Sequence, residues 1–317
     1  MKAVRFVAGE VALVDVGAPS QDNEFVDVEV VVAGICGSDL HLGPMGALTV
    51  TIGHEIAGRT PDGTFVAIEP IVGCGSCELC AAGRYNLCRH AMATMIGIAR
   101  DGGMAERVAV SPRSLIVLPD GIRPMDACLI EPLAVTVHGL RLAGLSTADR
   151  VGIVGGGTIG LCAGIAAQEH CSATVGIETR YGHQRDAAES LGLNPALEGR
   201  YDIMVDAAGT PSAIARCVEL LRPGGTLLVL SLHHPTLVLP FMTSMLKEIR
   251  VVTSITYASD GETRDVDVAA LILARRSEVP EVLITHRFPL SHAVDAFRAA
   301  IERPGRAIKV VIIPDHV

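Results

Sequence analysis

The sequence contains no block of basic residues. Lysine occurs only at Lys2, Lys247 and Lys309, the arginines are dispersed, and the formal net charge is −9. Nucleic acids and anionic membranes attract clustered positive charge, so we expect neither as a partner. The first residues also lack the apolar run of a secretory signal, because Lys2 and Arg5 interrupt it. We therefore expect a cytoplasmic protein.

Unbroken hydrophobic runs long enough to span a membrane are missing as well. Two uncharged stretches, 151–168 and 223–246, are close to the length of a membrane-spanning helix. The first is rich in glycine and the second is interrupted by Pro223, Pro235 and Pro240, so we interpret both as parts of a globular fold.

Hydrophobic residues make up 49% of the chain and charged residues 19%, which is typical of a well-buried protein. Its 317 residues suffice for about two domains.

One stretch, Val151–Cys162, predicts a buried strand, a glycine turn and the start of a helix. Three of its glycines have the G-x-G-x-x-G spacing, which permits a tight turn, close approach to a pyrophosphate and close helix packing. The free N–H groups at the start of a helix favour phosphate. Glu178 stands at the tip of the next predicted strand, where a carboxylate binds ribose hydroxyls. We therefore predict a dinucleotide site rather than a glycine-rich packing turn. Its expected residues are Gly155, Gly157, Thr158, Ile159, Gly160, Glu178 and Arg180.

A second set of motifs has the residue types of a catalytic zinc site. Cys36 and His41, with four residues between them, are followed by Gly53-His-Glu55. Zinc accepts thiolate, imidazole and carboxylate ligands, and three protein ligands with an open position make a catalytic site. Glu131 lies in an apolar stretch, where a carboxylate needs a partner such as a metal ion. The alternatives are buried structural Cys and His residues and a helix-start carboxylate at Glu131.

Four further cysteines predict a structural zinc site. They follow the pattern C-x2-C-x2-C-x7-C within fifteen residues. Four thiolates close a tetrahedron around zinc and leave no open position. The alternatives are an iron–sulfur cluster, whose spacing fits poorly, and a redox-active C-x-x-C pair. The ligands of the predicted site are Cys74, Cys77, Cys80 and Cys88.

The hydrophobic pattern changes along the chain. From Met1 to about Ile35 it alternates, which predicts antiparallel strands in a small barrel. From Asp149 strands and helices alternate, which predicts a parallel doubly wound sheet and an α/β fold. The strands predicted there are Val151–Val154, Thr174–Ile177, Asp202–Asp206, Thr226–Ser231 and Val251–Ile255. After about Ser259 we predict helices over Val266–Arg275 and Ser291–Glu302 and strands at Val282–Ile284 and Ile308–Ile313.

Together these motifs resemble the zinc-dependent medium-chain dehydrogenases, most closely the sorbitol and polyol dehydrogenase branch. The resemblance covers nearly the whole chain, and it implies a mainly β GroES-like catalytic domain, 1–130 plus 260–317, and a Rossmann domain, 131–259. The motifs occur in the family order: Cys36-Gly-Ser-Asp-Leu-His41, Gly53-His-Glu55, Cys74–Cys88, Ile130-Glu-Pro-Leu133, the glycine turn, and Leu283-Ile-Thr-His-Arg-Phe-Pro-Leu290.

The resemblance also implies a mechanism. Zinc lowers the pKa of a bound alcohol, and hydride passes to a nicotinamide anchored by the glycine turn. In the family, the serine at the position of Ser38 takes the alcohol proton, which passes through the coenzyme ribose to the histidine at the position of His41. Which carboxylate binds zinc directly varies among relatives. The residues implied around the catalytic zinc are Cys36, His54, Glu55 and Glu131.

Glu178 favours NAD, because a carboxylate bonds the ribose diol and repels a 2′-phosphate. Arg180, His183 and Arg185 lie nearby in the sequence and could accept a phosphate, so NADP stays an alternative. The family implies a homodimer or homotetramer.

Two departures from the polyol branch concern the substrate. Leu42 stands where an aromatic residue is common, and Thr256 where a substrate-binding arginine is frequent. Both favour a less polar secondary alcohol, or a cyclic polyol, over sorbitol itself. The alternatives in function are a zinc-free reductase of enones or quinones and a non-enzymatic, cofactor-binding protein on the same fold.

Overall fold

The computed structural model describes residues 1–19, 24–170, 175–233, 236–302 and 306–316. It divides into two compact units, Met1–Glu131 with Ala258–Val317, and Pro132–Tyr257. Among the described residues, no helix combines the length and the apolar character that crossing a membrane requires. Thr174, the predicted start of one strand, lies outside the described residues.

The strands are β1 (Lys2–Val7), β2 (Glu10–Asp15), β3 (Val26–Gly34), β4 (Glu55–Arg59), β5 (Phe65–Ile68), β6 (Arg107–Val110), β7 (Leu115–Val117), β8 (Val151–Val154), β9 (Gly176–Glu178), β10 (Tyr201–Asp206), β11 (Leu221–Val229), β12 (Arg250–Thr253), β13 (Ser259–Asp260), β14 (Thr263–Arg264), β15 (Ile284–Pro289) and β16 (Lys309–Ile313).

The α-helices are α1 (Gly37–Leu42), α2 (Glu78–Ala81), α3 (Arg89–Ala93), α4 (Ile130–Ala143), α5 (Thr158–Gln168), α6 (Gly182–Ser190), α7 (Pro211–Leu220), α8 (Phe241–Leu246), α9 (Asp265–Arg275), α10 (Glu278–Leu283) and α11 (Ala293–Ile301). Short 3-10 helices cover Tyr85–Leu87, Pro112–Ser114, Pro124–Leu129 and Leu290–His292.

The first unit is built on a seven-stranded sheet with the order β15-β16-β3-β4-β5-β7 and β6 paired to β3. All pairs except β15–β16 are antiparallel, so the antiparallel strands predicted near the N-terminus are confirmed. The alternating pattern of β3 explains the burial: Val28 and Val30 are fully buried, whereas Glu29 forms a surface ion pair with Arg59.

The second unit contains the predicted parallel sheet, with five strands in the order β12-β11-β10-β8-β9. Strand β8 is fully buried, as expected of a strand covered on both faces. The chain runs outward from β8 to β9 and then returns to β10 on the other side of β8. The carboxyl end of β8 is therefore a topological switch point, which is where open parallel sheets bind their ligands.

The predicted strand at Val282–Ile284 is wrong. Residues Glu278–Leu283 form α10, and β15 begins only at Ile284. A short apolar run fits a helix and a strand equally well. Here the helix buries Val279 and Leu283, four residues apart on one face.

Candidate metal centres and coenzyme site

The register of β3 and β4 brings three predicted zinc ligands together. Gly34 pairs with Glu55 across the ladder, so Cys36, just beyond Gly34, lies close to His54, which precedes β4. One ligand atom from each of Cys36, His54 and Glu55 lies within 4.8 Å of the other two. Glycine is needed at position 34, because a Cβ there would overlap with the Glu55 carboxylate.

The charges around His54 favour a cation at this site. Burial by itself would lower the pKa of His54, but the Cys36 thiol and the Asp39 carboxylate raise it well above its usual value. The His54 Nδ1 atom is 3.8 Å from Asp39 Oδ1 and has no hydrogen-bond partner among the described residues. A thiolate, an imidazole and a carboxylate, gathered where negative charge is in excess, fit a zinc ion.

Glu55 has a second partner, Lys309 of β16. The Lys309 Nζ atom donates to both Glu55 carboxylate oxygens, at 2.7 and 2.6 Å, and to the Ile35 carbonyl at 3.0 Å. The two side chains are only 3% and 1% exposed. Burial alone would lower the pKa of Lys309, but the Glu55 charge raises it above its usual value. The ion pair therefore fixes the position of the Glu55 carboxylate.

Glu131 occupies a different place. It is buried in the first turn of α4. Among the described residues it does not belong to the group of ligand atoms within 4.8 Å of one another. Its charge still contributes to the raised pKa of His54, so Glu131 acts electrostatically on the same site.

The two predicted proton-transfer residues both lie on α1. Ser38 is half-buried, and its Oγ is 3.5 Å from His54 Nε2. His41 lies in the last turn of the helix and is exposed. Residues three positions apart in a helix are neighbours on its surface. Helix α1 therefore places the Ser38 hydroxyl near the predicted metal ligands and the His41 imidazole at the solvent.

The four clustered cysteines form a second group with metal-binding geometry, again with ligand atoms within 4.8 Å of one another. The Sγ of Cys80 lies 3.9 Å from that of Cys74 and 3.5 Å from that of Cys77. A tetrahedron with Zn–S bonds of about 2.3 Å has S–S edges of about 3.8 Å. Hydrogen bonds from the Ser76 hydroxyl, from the backbone of Ser76 and Cys77 and from the Cys77 side chain lower the pKa of Cys74 to about 5, which favours its thiolate. The geometry and the donor set fit one zinc ion, with Cys88 as the fourth ligand.

The glycine turn between β8 and α5 has the predicted form. Gly155 has φ +114°, and a Cβ there would lie 2.8 Å from the Ala207 carbonyl carbon. A side chain at Gly160 would overlap with the backbone of Gly155, whereas at Gly157 there is open space. Thr158 begins α5, and Ile159 follows it. The turn thus packs closely on one side and leaves its backbone accessible at Gly157, where a pyrophosphate is expected.

Glu178 is the last residue of β9, and its carbonyl accepts a hydrogen bond from Gly155 N at 2.9 Å. Its carboxylate contacts Arg216 of α7, whose Nε lies 3.0 Å from Oε2. Arg180, expected nearby from the sequence, stacks its guanidinium over the Tyr181 ring at 5.5 Å.

A buried carboxylate organises the same edge of the sheet. Asp206 ends β10 and is fully buried. It accepts hydrogen bonds from the backbone of Ala208 and Gly209, from the Ser231 hydroxyl, and from His233 Nε2 at 2.8 Å. Asp206 therefore ties the segment after β11 to the segment after β10, which packs on the glycine turn.

Sequence reasoning missed Lys309, Arg216, Asp206 and His233. Only Lys309 carries a sequence signal: it stands alone in the otherwise apolar run 307–313, where a charge requires a partner. The contacts of the other three depend on tertiary structure.

Comparison with known proteins places the chain among dehydrogenases. Residues 22–120 match the family of the alcohol dehydrogenase GroES-like domain, and residues 158–271 match the zinc-binding dehydrogenase family. L-galactonate-5-dehydrogenase of Escherichia coli K12 is 28% identical over 92% of this chain and 92% of its own length. Sorbitol dehydrogenase of Bacillus subtilis 168 is 26% identical over 99% and 97%.

Solved structures show the same fold. A structure from Sinorhizobium meliloti 1021, assigned as a zinc-binding dehydrogenase and bound to NADP, is 30% identical to this chain. The match covers 99% of both chains with a TM-score of 0.86.

Proposed function

The chain belongs to the zinc-dependent medium-chain dehydrogenases, and on this basis we propose that it transfers a hydride between a secondary alcohol or polyol and NAD(P). The observation that carries the proposal is the group formed by Cys36, His54 and Glu55, with ligand atoms within 4.8 Å of one another. The relatives named for L-galactonate and sorbitol support a hydroxylated substrate.

Cys36, His54 and Glu55 would hold the catalytic ion, and zinc bound there supplies Lewis acidity that lowers the pKa of an alcohol. Lys309 keeps Glu55 in place and offsets its negative charge. Glu131, outside the group, stabilises positive charge around His54. This arrangement makes Glu55 rather than Glu131 the third protein ligand in our proposal.

Ser38 and His41 would remove the alcohol proton. The Ser38 hydroxyl lies beside the metal ligands, 3.5 Å from His54 Nε2. It would accept the proton of an alcohol bound there while passing its own hydroxyl proton on toward His41. His41, three residues later on the same helix, is exposed and can release a proton to water. The imidazole suits this step because its usual pKa lies near neutral pH.

The second unit would bind the coenzyme, which accepts the hydride. The turn at Gly155–Gly160 and the first N–H groups of α5 would hold the pyrophosphate. Glu178, at the carboxyl end of β9, would accept hydrogen bonds from the adenosine ribose. Asp206 supports this edge by fixing the backbone at Ala208 and Gly209.

The stretch 254–257 supports a neutral, hydroxylated substrate. The hydroxyls of Ser254 and Thr256 have no hydrogen-bond partner among the described residues. Thr256 has φ +53°, which is strained for a β-branched residue and is found most often at functional sites. Position 256 carries no arginine, so we propose a neutral substrate, a secondary alcohol or a cyclic polyol.

We also propose a homodimer formed through α8 and β12. Phe241 and Leu246 of α8 are 72% and 74% exposed, and Val251 of the edge strand β12 is 40% exposed. An edge strand beside apolar side chains is suited to pairing with a second copy.

Sedimentation should show a dimer that Val251→Lys converts to monomer, whereas Val117→Lys, on the other unit and 66% exposed, should leave the dimer intact. Monomeric wild-type protein would contradict this proposal.

The activity is tested by following NADH and NADPH absorbance with polyols, cyclitols and simple secondary alcohols. We expect coenzyme-dependent oxidation that falls at least about a hundredfold in Cys36→Ser, because a metal supplies several kcal/mol of transition-state stabilisation. Cys217→Ala, a buried cysteine of the other unit, is the matched control. Enone reduction without alcohol oxidation would favour a zinc-free reductase. Coenzyme binding without any turnover would favour a non-enzymatic protein.

A further inference from the structure

The carboxylate of Glu178 is already paired with a cation. Arg216 Nε lies 3.0 Å from Glu178 Oε2, and Arg216 Nη1 lies 3.0 Å from Glu219 Oε2. The Arg216 and Glu178 side chains are 33% and 43% exposed, so both remain accessible to a ligand. A guanidinium has five N–H donors, and these two bonds leave donors for a further acceptor.

The position of this pair in the sheet relates it to the coenzyme. Glu178 ends β9 and is joined to the glycine turn by the hydrogen bond from Gly155 N. Helix α7 packs on the carboxyl end of β8, since Ala213 and Cys217 share a buried cluster with Val154. Arg216 lies on the same helix and contacts Glu178. Its guanidinium is therefore placed where the adenosine ribose of a dinucleotide is expected to bind.

The charge balance at this position determines which ribose the site accepts. A lone carboxylate repels a 2′-phosphate, which is the reason an acidic residue here favours NAD. Arg216, in contact with both Glu178 and Glu219, cancels part of this repulsion. A guanidinium also matches the geometry of phosphate oxygens. Arg180, the nearer residue in sequence, has its guanidinium over the Tyr181 ring.

We propose that Arg216 determines coenzyme specificity: by offsetting the charge of Glu178 and offering donors to a phosphate, it makes the site accept NADP as well as NAD. This inference rests on the proposed coenzyme site. It concerns the 2′ position of the ribose only, so NAD binding does not depend on it.

The test is calorimetric titration of the zinc-loaded protein with two fragments of the coenzymes, adenosine 2′,5′-bisphosphate and 5′-AMP. In Arg216→Gln, affinity for the bisphosphate should fall about tenfold, while affinity for 5′-AMP changes less than about twofold. Arg216→Lys keeps the charge but lacks the guanidinium geometry, so it should recover part of the loss. The matched control is Arg222→Gln, which removes an arginine paired with Asp202 near the opposite, amino-terminal end of β10. It should change neither affinity.

Equal weakening of both fragments by Arg216→Gln would overturn the inference, because Arg216 would then support the adenosine pocket in general. Unchanged affinities would overturn it as well. If wild-type protein binds 5′-AMP but Arg216→Gln does not weaken the bisphosphate more than 5′-AMP, the coenzyme site stands and only the role of Arg216 is contradicted. If wild-type protein binds neither fragment, the coenzyme site itself fails.

Discussion

Lys309 and Glu55 form a buried ion pair beside the candidate catalytic metal ligands, with Nζ 2.7 and 2.6 Å from the two carboxylate oxygens. The residues are 254 positions apart in the chain, so the pair joins the C-terminal strand β16 to β4. A carboxylate this deeply buried requires a cation, and here one side of Glu55 faces Lys309 while Cys36 and His54 lie close by.

Replacing Lys309 with Met should destabilise the protein by about 3–5 kcal/mol, because it leaves the Glu55 charge buried without compensation. The loss should be smaller in zinc-loaded than in zinc-depleted protein, since a metal ion would replace part of the missing charge. Urea denaturation of the zinc-loaded and zinc-depleted forms measures the free energy of unfolding of the variant and of the wild type. Lys2→Met, which breaks an exposed pair with Asp15, should change stability by less than about 1 kcal/mol. Equal losses in the two zinc states would contradict the placement of a metal at Glu55.

Glu69 should make folding stability depend on pH. Burial raises the pKa of Glu69 from 4.5 to about 7, although a hydrogen bond from Tyr85 and the charge of Arg264 oppose the shift. The folded state then binds a proton that the unfolded state has released, so this contribution is present below pH 4.5 and is lost as the pH rises toward 7. Between pH 5.5 and 7.5 the free energy of unfolding should fall by roughly 2 kcal/mol.

Urea denaturation of Glu69→Gln at the two pH values tests this directly. The amide cannot ionise, so the variant should lose that part of the pH dependence. The exposed Glu10→Gln should retain it. A variant whose stability changes with pH as the wild type does would show that Glu69 is ionised throughout this range, held so by Arg264.

The two ends of the glycine turn should respond differently to alanine. Gly155→Ala forces a side chain into φ +114° and against the backbone of Ala207, so it should destabilise the protein by about 1–3 kcal/mol. Gly157→Ala meets nothing within 4 Å and should leave the thermal midpoint almost unchanged while weakening NADH binding. Thermal unfolding and NADH fluorescence titration separate the two effects. Full NADH affinity in Gly157→Ala would mean that the pyrophosphate does not approach this backbone.

The cysteine cluster should stabilise its own segment rather than the reaction. Cys80→Ser should increase hydrogen exchange in residues 73–94, which contain only short helices, because those helices depend on the metal for their stability. Exchange in the parallel sheet of the second unit should not change. Unaltered exchange in 73–94 would show that the segment folds without zinc.

The features that could be predicted from sequence are those with a local cause. The bounds of β8 follow from a buried run that ends in a glycine turn, and all five strands of the parallel sheet were predicted by the alternation of apolar runs and helices. The strand predicted at Val282–Ile284 is wrong, because a run of three apolar residues has no distinct period. The close approach of Cys36, His54 and Glu55 agrees with their motifs, while their roles as ligands stay a prediction.

The remaining features depend on contacts between distant parts of the chain. Arg216 meets Glu178 across 38 positions and His233 meets Asp206 across 27. No local sequence pattern around Arg216 or His233 indicates which residue it pairs with. The pairing depends on the order of strands in the sheet, which brings the carboxyl ends of β8, β9 and β10 to one edge.

The most direct measurement is zinc per chain by elemental analysis, in wild-type protein and in Cys36→Ser. The two groups of ligand atoms predict two zinc ions per wild-type chain and one in the variant, with loss of alcohol oxidation alongside the loss of metal. One zinc in both proteins would mean that only the cysteine cluster binds metal, and the proposed zinc-dependent reaction at Cys36, His54 and Glu55 would be contradicted.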